Sequence, residues 1–592
     1  TINPLTALQG LPNFSQVKHE HVFDAVKAAV DASIKTIKTV VAAHENDPTW
    51  DNVMAPIEEA DDKLSRVWSV VSHLNSVCNT EEFRKAHDSC LPIMSEYSTF
   101  VGQYKPLCDV LKKISKSDAY SLLTSAQKKS IENSLRDFRL SGVDLPADKQ
   151  KRYAQISAEL SQLQSDFANN VLDATKNFIL HIENEDEVKG LPSSQINQAR
   201  AEAKKRDLKG LVFTLDIPSY LPFMTYADNR ELRKELYIAY VTRASDKGPN
   251  ANKWDNQDKI DNILRLRHEE AQLLGFESYA HLSLATKMAK DPQEVIDFLE
   301  DLARKSKPQG QREIDELKEF AAKNGLEGDL EPWDVAYYSQ KLCKEQYSYD
   351  PQELRPYFGA EKVVSGLFTC AERLYNVSFR PRFGVDVWHE DVRCYDIYDR
   401  FGSKMGTFYI DLYARDGKRG GAWMDEAMSR RYRYDGSLQL PVAYLVCNFT
   451  PPMNGKDSQL THDEVVTLFH EFGHGLNQLL TRIDIADVSG INGVPWDAVE
   501  LPSQFNENYA WQEEVLNFLS AHETTKEPLP KDKLDALIKA KNFESAMAML
   551  RQLEFALFDF RLHLEYDPEK GSRVYEILGK VKDLVSVVPQ YA

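Results

Sequence analysis

The chain has 592 residues, of which 42% are hydrophobic and 10% aromatic, so a disordered or fibrous protein is excluded. The 91 acidic residues outnumber the 72 basic ones, and the net charge of −19 disfavours nucleic acid as a partner because phosphate backbones would be repelled. No apolar run approaches the about 18 residues of a membrane span, so we also expect no membrane partner. Seven cysteines without a Cys-x-x-Cys pair, and the lack of a signal pattern in the first thirty residues, predict reduced thiols and a cytoplasmic location.

Helices are predicted for most of the first two hundred residues. Apolar residues three and four positions apart indicate amphipathic helices over His21–Ala43, Ile57–Val77 and Tyr153–Val171. The stripe of the third helix consists of Ile156, Leu160, Leu163, Phe167 and Val171. It spans too few heptads for a coiled coil, so we interpret these stripes as packing surfaces inside a helical bundle.

The residue composition changes near Leu211, where LVFTLDIPSYLPF is rich in β-forming residues and is interrupted by Pro218 and Pro222. Length alone suggests about four domains. We instead place one division here, between an N-terminal helical region at 1–210 and a second region at 211–592. Helices are predicted to resume after this segment, up to about Asn324.

A second β-rich zone extends from Val385 to Phe449. Asp416-Gly417 is typical of a turn between the strand around Ile410 and the strand containing Trp423, so a small sheet or hairpin is expected. Helices dominate again from His462 to the end. The predicted fold class is therefore mainly α with a small β-sheet.

One motif in the last region carries recognisable chemistry: His470-Glu471-Phe472-Gly473-His474. The spacing of four residues places both imidazoles on one helical face, where they can share a cation. Glu471 is rotated about 100° from His470, so it can reach a water on the metal without becoming a ligand. Zinc lowers the pKa of such a water towards about 7, and the carboxylate can take its proton as the water attacks a peptide carbonyl. We therefore predict one Zn²⁺ per chain, with Glu471 as the general base.

The alternative is a chance match on an ordinary amphipathic helix. This composition would give about 0.05 His-acid-x-x-His matches. Five other His-Glu pairs lack a histidine four positions on, namely those at His19, His44, His268, His389 and His522. Gly473 costs about 1 kcal/mol against alanine in a helix interior, which is an unusual choice for packing alone. The pattern favours the metal site.

A catalytic zinc has three protein ligands and an open position, whereas a structural zinc has four. The glycines and proline of DVSGINGVP can turn the chain back towards WDAVELPSQFNENYAW, a candidate second helix. This segment offers Asp497, Glu500 and Glu507 as the third ligand, and spacing alone does not choose among them.

HEFGH followed by SGINGVPWDAVELPSQ resembles the thimet-oligopeptidase family of zinc metallopeptidases. So do LDIPSYLPFMTYADN, EPWDVAYYSQK, FYIDLYARDGKRGGAWMD and VAYLVCNFTPP, in the same order, so the resemblance spans essentially the whole chain. It implies zinc bound by His470, His474 and Glu500, with Glu471 as the general base. It also implies two helical lobes flanking a deep channel, in which short unstructured peptides are cleaved internally, and a catalytic role for 211–592. We expect a monomer whose partners are short peptides.

Further residues are candidates for supporting roles. Ser503, Gln504 and Glu507 follow Glu500 along one face, and Asp463 lies two turns before His470, so each could orient a ligand. Ordinary solvated helix positions are the alternative for all four. Gly420 and Gly421 would allow a substrate backbone to approach closely in the channel, although a turn pair is an equal reading. An exposed strand of the β-rich zone could pair with the peptide backbone.

The resemblance weakens at the end of the sequence. The family continues past Val587–Pro589 into a segment whose His and Tyr side chains donate hydrogen bonds to the tetrahedral intermediate, so we expect that segment to be missing here. Loss of one such donor typically lowers kcat by about 10²–10³-fold. The alternative function is therefore a zinc-bound, peptide-binding protein with impaired catalysis.

Overall fold

A computed structural model of the chain describes residues 2–6 and 9–591. The outer limits of the two predicted regions, Thr1 and Ala592, lie outside these residues. The class expected from the sequence is confirmed, since helices predominate and the sheets are small. Within the described residues, no helix combines the length and apolar character that a membrane crossing requires.

The N-terminal part is helical, and each of the three helices predicted there is confirmed with longer bounds. The helices are α1 His19–His44, α2 Ala55–Val77, α3 Glu81–Ser89, α4 Leu91–Gln103, α5 Lys105–Lys116, α6 Ser125–Leu140 and α7 Ala147–Lys176. The apolar stripe marks only the packed stretch of each, and the first or last turns extend beyond it. Ile156 and Leu160 of α7 are buried, as expected for packing within a bundle.

The segment from Leu211 is mostly helical, so the β-rich interpretation is wrong beyond its first three residues. Strand β1, Leu180–Ile182, pairs antiparallel with β2, Leu211–Phe213, and helix α8, Ser193–Lys205, lies between them. Helix α9 then covers Ile217–Tyr226. Pro218 is compatible with it because the first turn needs no intrahelical N–H bond. The two strands pair across the division placed at 210/211, and that division stays a prediction.

Helices continue through the middle of the chain. They are α10 Arg230–Val241, α11 Gln257–Leu273, α12 Tyr279–Leu284, α13 Pro292–Lys323, α14 Pro332–Tyr347, α15 Pro351–Leu354 and α16 Ala360–Tyr375. The sequence places the end of this helical run near Asn324, but that position is only the C-cap of α13, and helices continue to Tyr375.

Of the two alternatives, a small sheet or a hairpin, the structure has the sheet. Its strands are β3 Ser378–Pro381, β4 Arg393–Tyr398, β5 Lys404–Tyr413, β6 Trp423–Met428 and β9 Val442–Phe449, and β7 Arg431–Tyr432 pairs separately with β8 Leu438–Gln439. The order is β3-β4-β5-β9-β6, with β5 and β9 parallel and the other pairs antiparallel.

Gly417 does lie in a turn, with φ +74°, but β5 and β6 are separated by β9. The loop between them is held instead against the end of α2. Arg419 N–H donates to the Ser76 carbonyl, and Asn79 N–H donates to the Gly417 carbonyl. These bonds fix the loop against the C-terminal end of α2, after which the chain forms the edge strand β6.

The sheet separates two apolar cores by strict alternation along its strands. Tyr409 and Tyr444 belong to the core formed with the N-terminal helices. Phe408 and Leu445, one residue away in each strand, belong to the core on the opposite face. The second core contains the helix that carries the His-Glu-x-x-His motif.

The C-terminal part is again helical. It consists of α17 His462–Leu479, α18 Leu501–Glu507, α19 Glu513–Leu519, α20 Lys531–Lys539, α21 Ser545–Leu564 and α22 Val574–Val585. Helices α11, α13, α21 and α22 share a separate apolar core. We call these four helices the outer helical layer. The arrangement as two lobes around a deep channel stays a prediction.

Candidate metal centre

Helix α17 presents the motif from a fixed position. Its first turn is closed by a capping box, in which Glu464 N–H donates to Thr461 Oγ1 and Thr461 N–H donates to Glu464 Oε1. Leu468 and Phe472 are buried against the sheet. Since these apolar residues fix the rotation of the helix, the opposite face carries the two histidines.

The structure brings His470, His474 and Glu500 together. Their ligand atoms lie within 4.8 Å of one another, and among the described residues no other group of three His, Cys, Asp or Glu does so. Glu500 Oε2 lies 2.9 Å from His470 Nε2 and 3.3 Å from His474 Nε2. Two imidazoles and one carboxylate fit zinc well, and three donors leave a position open.

Two further side chains hold these three. His470 Nδ1–H donates to Glu507 Oε2 at 2.7 Å, so in this tautomer Nε2 is the nitrogen available to a metal. Ser503 Oγ–H donates to Glu500 Oε2 at 2.8 Å. Of the predicted supporting residues, Ser503 and Glu507 therefore do touch the three converging residues.

Gly473 explains how the Glu500 segment comes so near α17. A Cβ atom on Gly473 would lie 2.7 Å from the Pro502 carbonyl oxygen and 2.7 Å from Ser503 Cα. Contacts that short do not occur, so only glycine lets α18 pack at this distance. The glycine that is costly within the helix is thus required by the packing of α18.

Glu471 lies beside the three residues without joining them. Its Oε1 is 3.9 Å from His470 Nε2, and its Oε2 is buried without a hydrogen-bond partner among the described residues. Burial raises the pKa of Glu471 to about 7, against the opposing effect of His470. Burial also lowers the pKa of His474, which favours the neutral imidazole that a metal requires.

The other predicted residues lie elsewhere. Gln504 is exposed; its backbone N–H donates to the Glu500 carbonyl, and its side chain makes no hydrogen bond among the described residues. Asp463 is exposed in the first turn of α17, where its carbonyl accepts a bond from Thr467. Asp497, the remaining candidate for the third metal ligand, instead accepts hydrogen bonds from the backbone N–H groups of residues 288 and 289. The α-helical periodicity used for Gln504 fails because α18 begins only at Leu501, after Glu500.

A cavity of about 680 Å³ adjoins the N-terminal half of α17. Asp463 and Thr467 line it, as does Gly421 in the loop before β6, whereas Gly420 is exposed outside its lining. Asn448 Nδ2–H donates to the Gly421 carbonyl at 2.6 Å and thereby fixes this loop. A Cβ on either glycine would meet no atom within 4 Å, so the space beside the loop is open.

Gln478 is a residue that sequence reasoning missed. It lies four residues after His474 and is buried, and its Nε2–H donates to Glu426 Oε2 of β6 at 2.7 Å. Its Oε1 accepts from Ile491 N–H at 2.9 Å. Gln478 thus joins α17, the edge strand and the loop that leads to Glu500. Its i, i+4 spacing from His474 was the available signal.

Comparison with known proteins agrees with this geometry. Residues 223–591 match peptidase family M3, and residues 23–150 match the N-terminal domain of neurolysin and thimet oligopeptidase. The chain belongs to peptidase family M3. As an M3 peptidase, it is a metalloendopeptidase that degrades peptides, which confirms the resemblance found in its sequence.

The M3 relatives are similar over nearly the entire chain. Oligopeptidase A of Salmonella typhimurium is 53% identical over 99% of this chain and 86% of its own length. A probable cytosolic oligopeptidase A of Arabidopsis thaliana is 39% identical over 99% of this chain and 85% of its own. These shares do not support the expectation of a missing C-terminal segment, because they do not tell which part of each relative is unmatched.

A similar fold is also found among solved structures. PZ peptidase A with an inhibitor superimposes with a TM-score of 0.54 at 14% identity, over 98% of this chain and 82% of that one. At this identity the similarity concerns the fold alone.

Proposed function

We propose that this chain is a zinc endopeptidase in which His470, His474 and Glu500 bind one Zn²⁺ and Glu471 is the general base. The observation that carries the proposal is the convergence of two Nε2 atoms and one carboxylate oxygen, beside a second carboxylate, Glu471, whose Oε2 has no hydrogen-bond partner among the described residues. Three donors rather than four favour a catalytic site over a structural one.

Bound zinc would supply Lewis-acid chemistry, polarising a peptide carbonyl and lowering the pKa of a nearby water. Glu471 is suited to accept the proton of the attacking water, because its Oε2 has no other partner among the described residues. The water oxygen forms the new bond to the carbonyl carbon. Glu471 then delivers its proton to the amide nitrogen as the C–N bond breaks, so the peptide gains one water.

Glu507 and Ser503 are proposed as positioning residues. The bond from His470 to Glu507 fixes the tautomer with a free Nε2, and the Ser503 hydroxyl fixes one oxygen of Glu500. Nothing in their geometry supports a comparable role for Asp463 or Gln504.

We further propose short unstructured peptides as substrates. Strand β6 ends the sheet next to α17, and an edge strand can pair with a peptide backbone whatever its side chains. The open space beside Gly420 and Gly421 and the adjoining cavity would receive the peptide between two helical lobes. The region 1–210 would then form the helical wall and 211–592 the catalytic part, in a cytoplasmic monomer.

The experiment is hydrolysis of a quenched fluorescent peptide of about ten residues, with and without a chelator. We expect cleavage that chelation abolishes and zinc restores, and a loss of about 10²–10⁴-fold in kcat for Glu471→Gln with zinc still bound. Metal-dependent cleavage that survives Glu471→Gln would overturn the assigned base. A parent protein that binds zinc and peptide without cleaving them would support the peptide-binding alternative. Unfolding on chelation would instead indicate a structural metal.

A further inference from the structure

Asp497 makes a contact that joins the Glu500 segment to a distant part of the chain. Its Oδ1 accepts from Met288 N–H at 3.0 Å, and its Oδ2 accepts from the same N–H at 3.1 Å and from Ala289 N–H at 3.0 Å. The two segments are more than two hundred residues apart in sequence. Bonds from two consecutive backbone amides to one carboxylate are directional and charge-assisted.

Residues 288 and 289 belong to the connection between α12 and α13. Helix α13 packs on α21 within the outer helical layer, whose core contains Ile296 and Leu553. No described residue of the sheet or of α17 is part of that core. Asp497 therefore links the Glu500 segment to a layer with a core of its own.

Neither of the two large apolar side chains at this connection is packed into it. Met288 and Trp496 lie on its two sides, and they are 65% and 66% exposed. The segments meet at a surface open to water, where the hydrogen bonds that Asp497 accepts from residues 288 and 289 are the specific contact. Their geometry, rather than a packed interface, determines how far apart the segments lie.

Asp497 and Glu500 are only three residues apart in the sequence, with short turns on either side. Ala498 N–H donates to the Pro495 carbonyl, and Gln504 N–H donates to the Glu500 carbonyl. On its other side, Glu500 is fixed by Ser503 and by the close approach of α18 to Gly473. Helix α18 thus fixes Glu500 relative to α17, and Asp497 links the Glu500 segment to the outer helical layer.

We propose that Asp497 is a positioning residue for Glu500, and we call its three hydrogen bonds the Asp497 tie. The inference rests on the proposed role of Glu500 as a metal ligand. If the distance between the outer helical layer and α17 changed, the Asp497 tie would transmit the displacement to the Glu500 segment. The Glu500 carboxylate would then move relative to the two histidines. Metal affinity would thereby depend on the relative position of the two parts of the molecule.

The test compares Asp497→Ala and Asp497→Asn with the control Asp457→Asn in the full chain. Asp457 is also exposed and accepts a distant backbone N–H, that of Glu361 at 3.0 Å, but it lies outside the ligand segment. Zinc affinity is measured by competition with a chelator, and the Tm of the metal-free protein is measured separately. Asp497→Asn keeps the side-chain volume and gives the measurement if the alanine variant does not fold.

We expect about 10-fold or greater loss of zinc affinity in both Asp497 variants, no change in the control, and an unchanged metal-free Tm. Unchanged affinity in both variants would overturn the tie, as would an equal loss in the control or a loss that simply follows a fall in metal-free Tm. His470→Ala separates the two proposals. If it leaves zinc binding intact, the metal assignment itself is wrong, whereas zinc binding that needs His470 but not Asp497 contradicts the tie alone.

Discussion

The two halves of the candidate metal centre are built differently. His470 and His474 lie on α17, an 18-residue helix packed against the sheet. Glu500 precedes a helix of only seven residues and follows a series of short turns. The side chain of His474 is 9% exposed, whereas that of Glu500 is 49% exposed. A large apolar core therefore determines the histidine half, and individual polar contacts determine the carboxylate half.

This difference implies two kinds of sensitivity. Changes in the histidine half should disturb folding and metal binding together, because the same packed helix serves both. Changes in the carboxylate half should affect metal binding with little effect on the metal-free fold. Substitutions in the two halves test this separation.

The largest effect is expected from replacing a ligand in each half. We expect His474→Ala and Glu500→Ala each to lower zinc affinity by more than about 100-fold, beyond the usual effect of an orienting residue. His474→Ala should also destabilise the metal-free protein by about 1–3 kcal/mol, because it leaves a void in a packed region. Glu500→Ala should leave metal-free stability nearly unchanged. Metal content and denaturant unfolding without metal measure both quantities, and equal destabilisation by the two variants would contradict the separation.

Gly473 tests the contact between the halves. In Gly473→Ala, the new methyl group must push α18 away from Pro502 and Ser503, so we expect a loss of about 1–3 kcal/mol in unfolding free energy and weaker zinc binding. Gly579→Ala is the matched control, since Gly579 lies within α22 and a Cβ there meets nothing within 4 Å. That control should be neutral or stabilising by up to about 1 kcal/mol. Similar effects of the two substitutions would show that the close approach is unimportant.

The sequence alone indicates the helix that carries both histidines, but it leaves the choice of the converging carboxylate open. Periodicity and i, i+4 spacing are local, so the helix bearing His470 could be read from its own residues. The position of Asp497 depends on backbone amides two hundred residues away, for which a single sequence carries no local signal. The alternatives Asp497, Glu500 and Glu507 could not be separated by spacing for the same reason.

The sheet shows the same limit. Its strands were expected from composition, but the insertion of β9 between β5 and β6 was not, because a turn at Gly417 is equally compatible with a hairpin. Contacts of the loop with Ser76 and Asn79 decide the crossing, and these are long-range. The segment after Leu211 was misjudged because its β-forming residues are outweighed by helical packing, which overrides intrinsic propensity.

The smallest effects should come from two neighbours in the carboxylate half, Ser503 and Gln504. Ser503→Ala removes the hydroxyl donor to Glu500 Oε2, and since that carboxylate is half exposed we expect only about a 3- to 10-fold loss of zinc affinity. Gln504→Ala should change nothing, because its side chain makes no hydrogen bond among the described residues. Chelator competition on both variants measures the difference. If Gln504→Ala lost as much affinity as Ser503→Ala, the carboxylate half would depend on helix α18 as a whole rather than on the single hydroxyl, and individual polar contacts would not be what determines it.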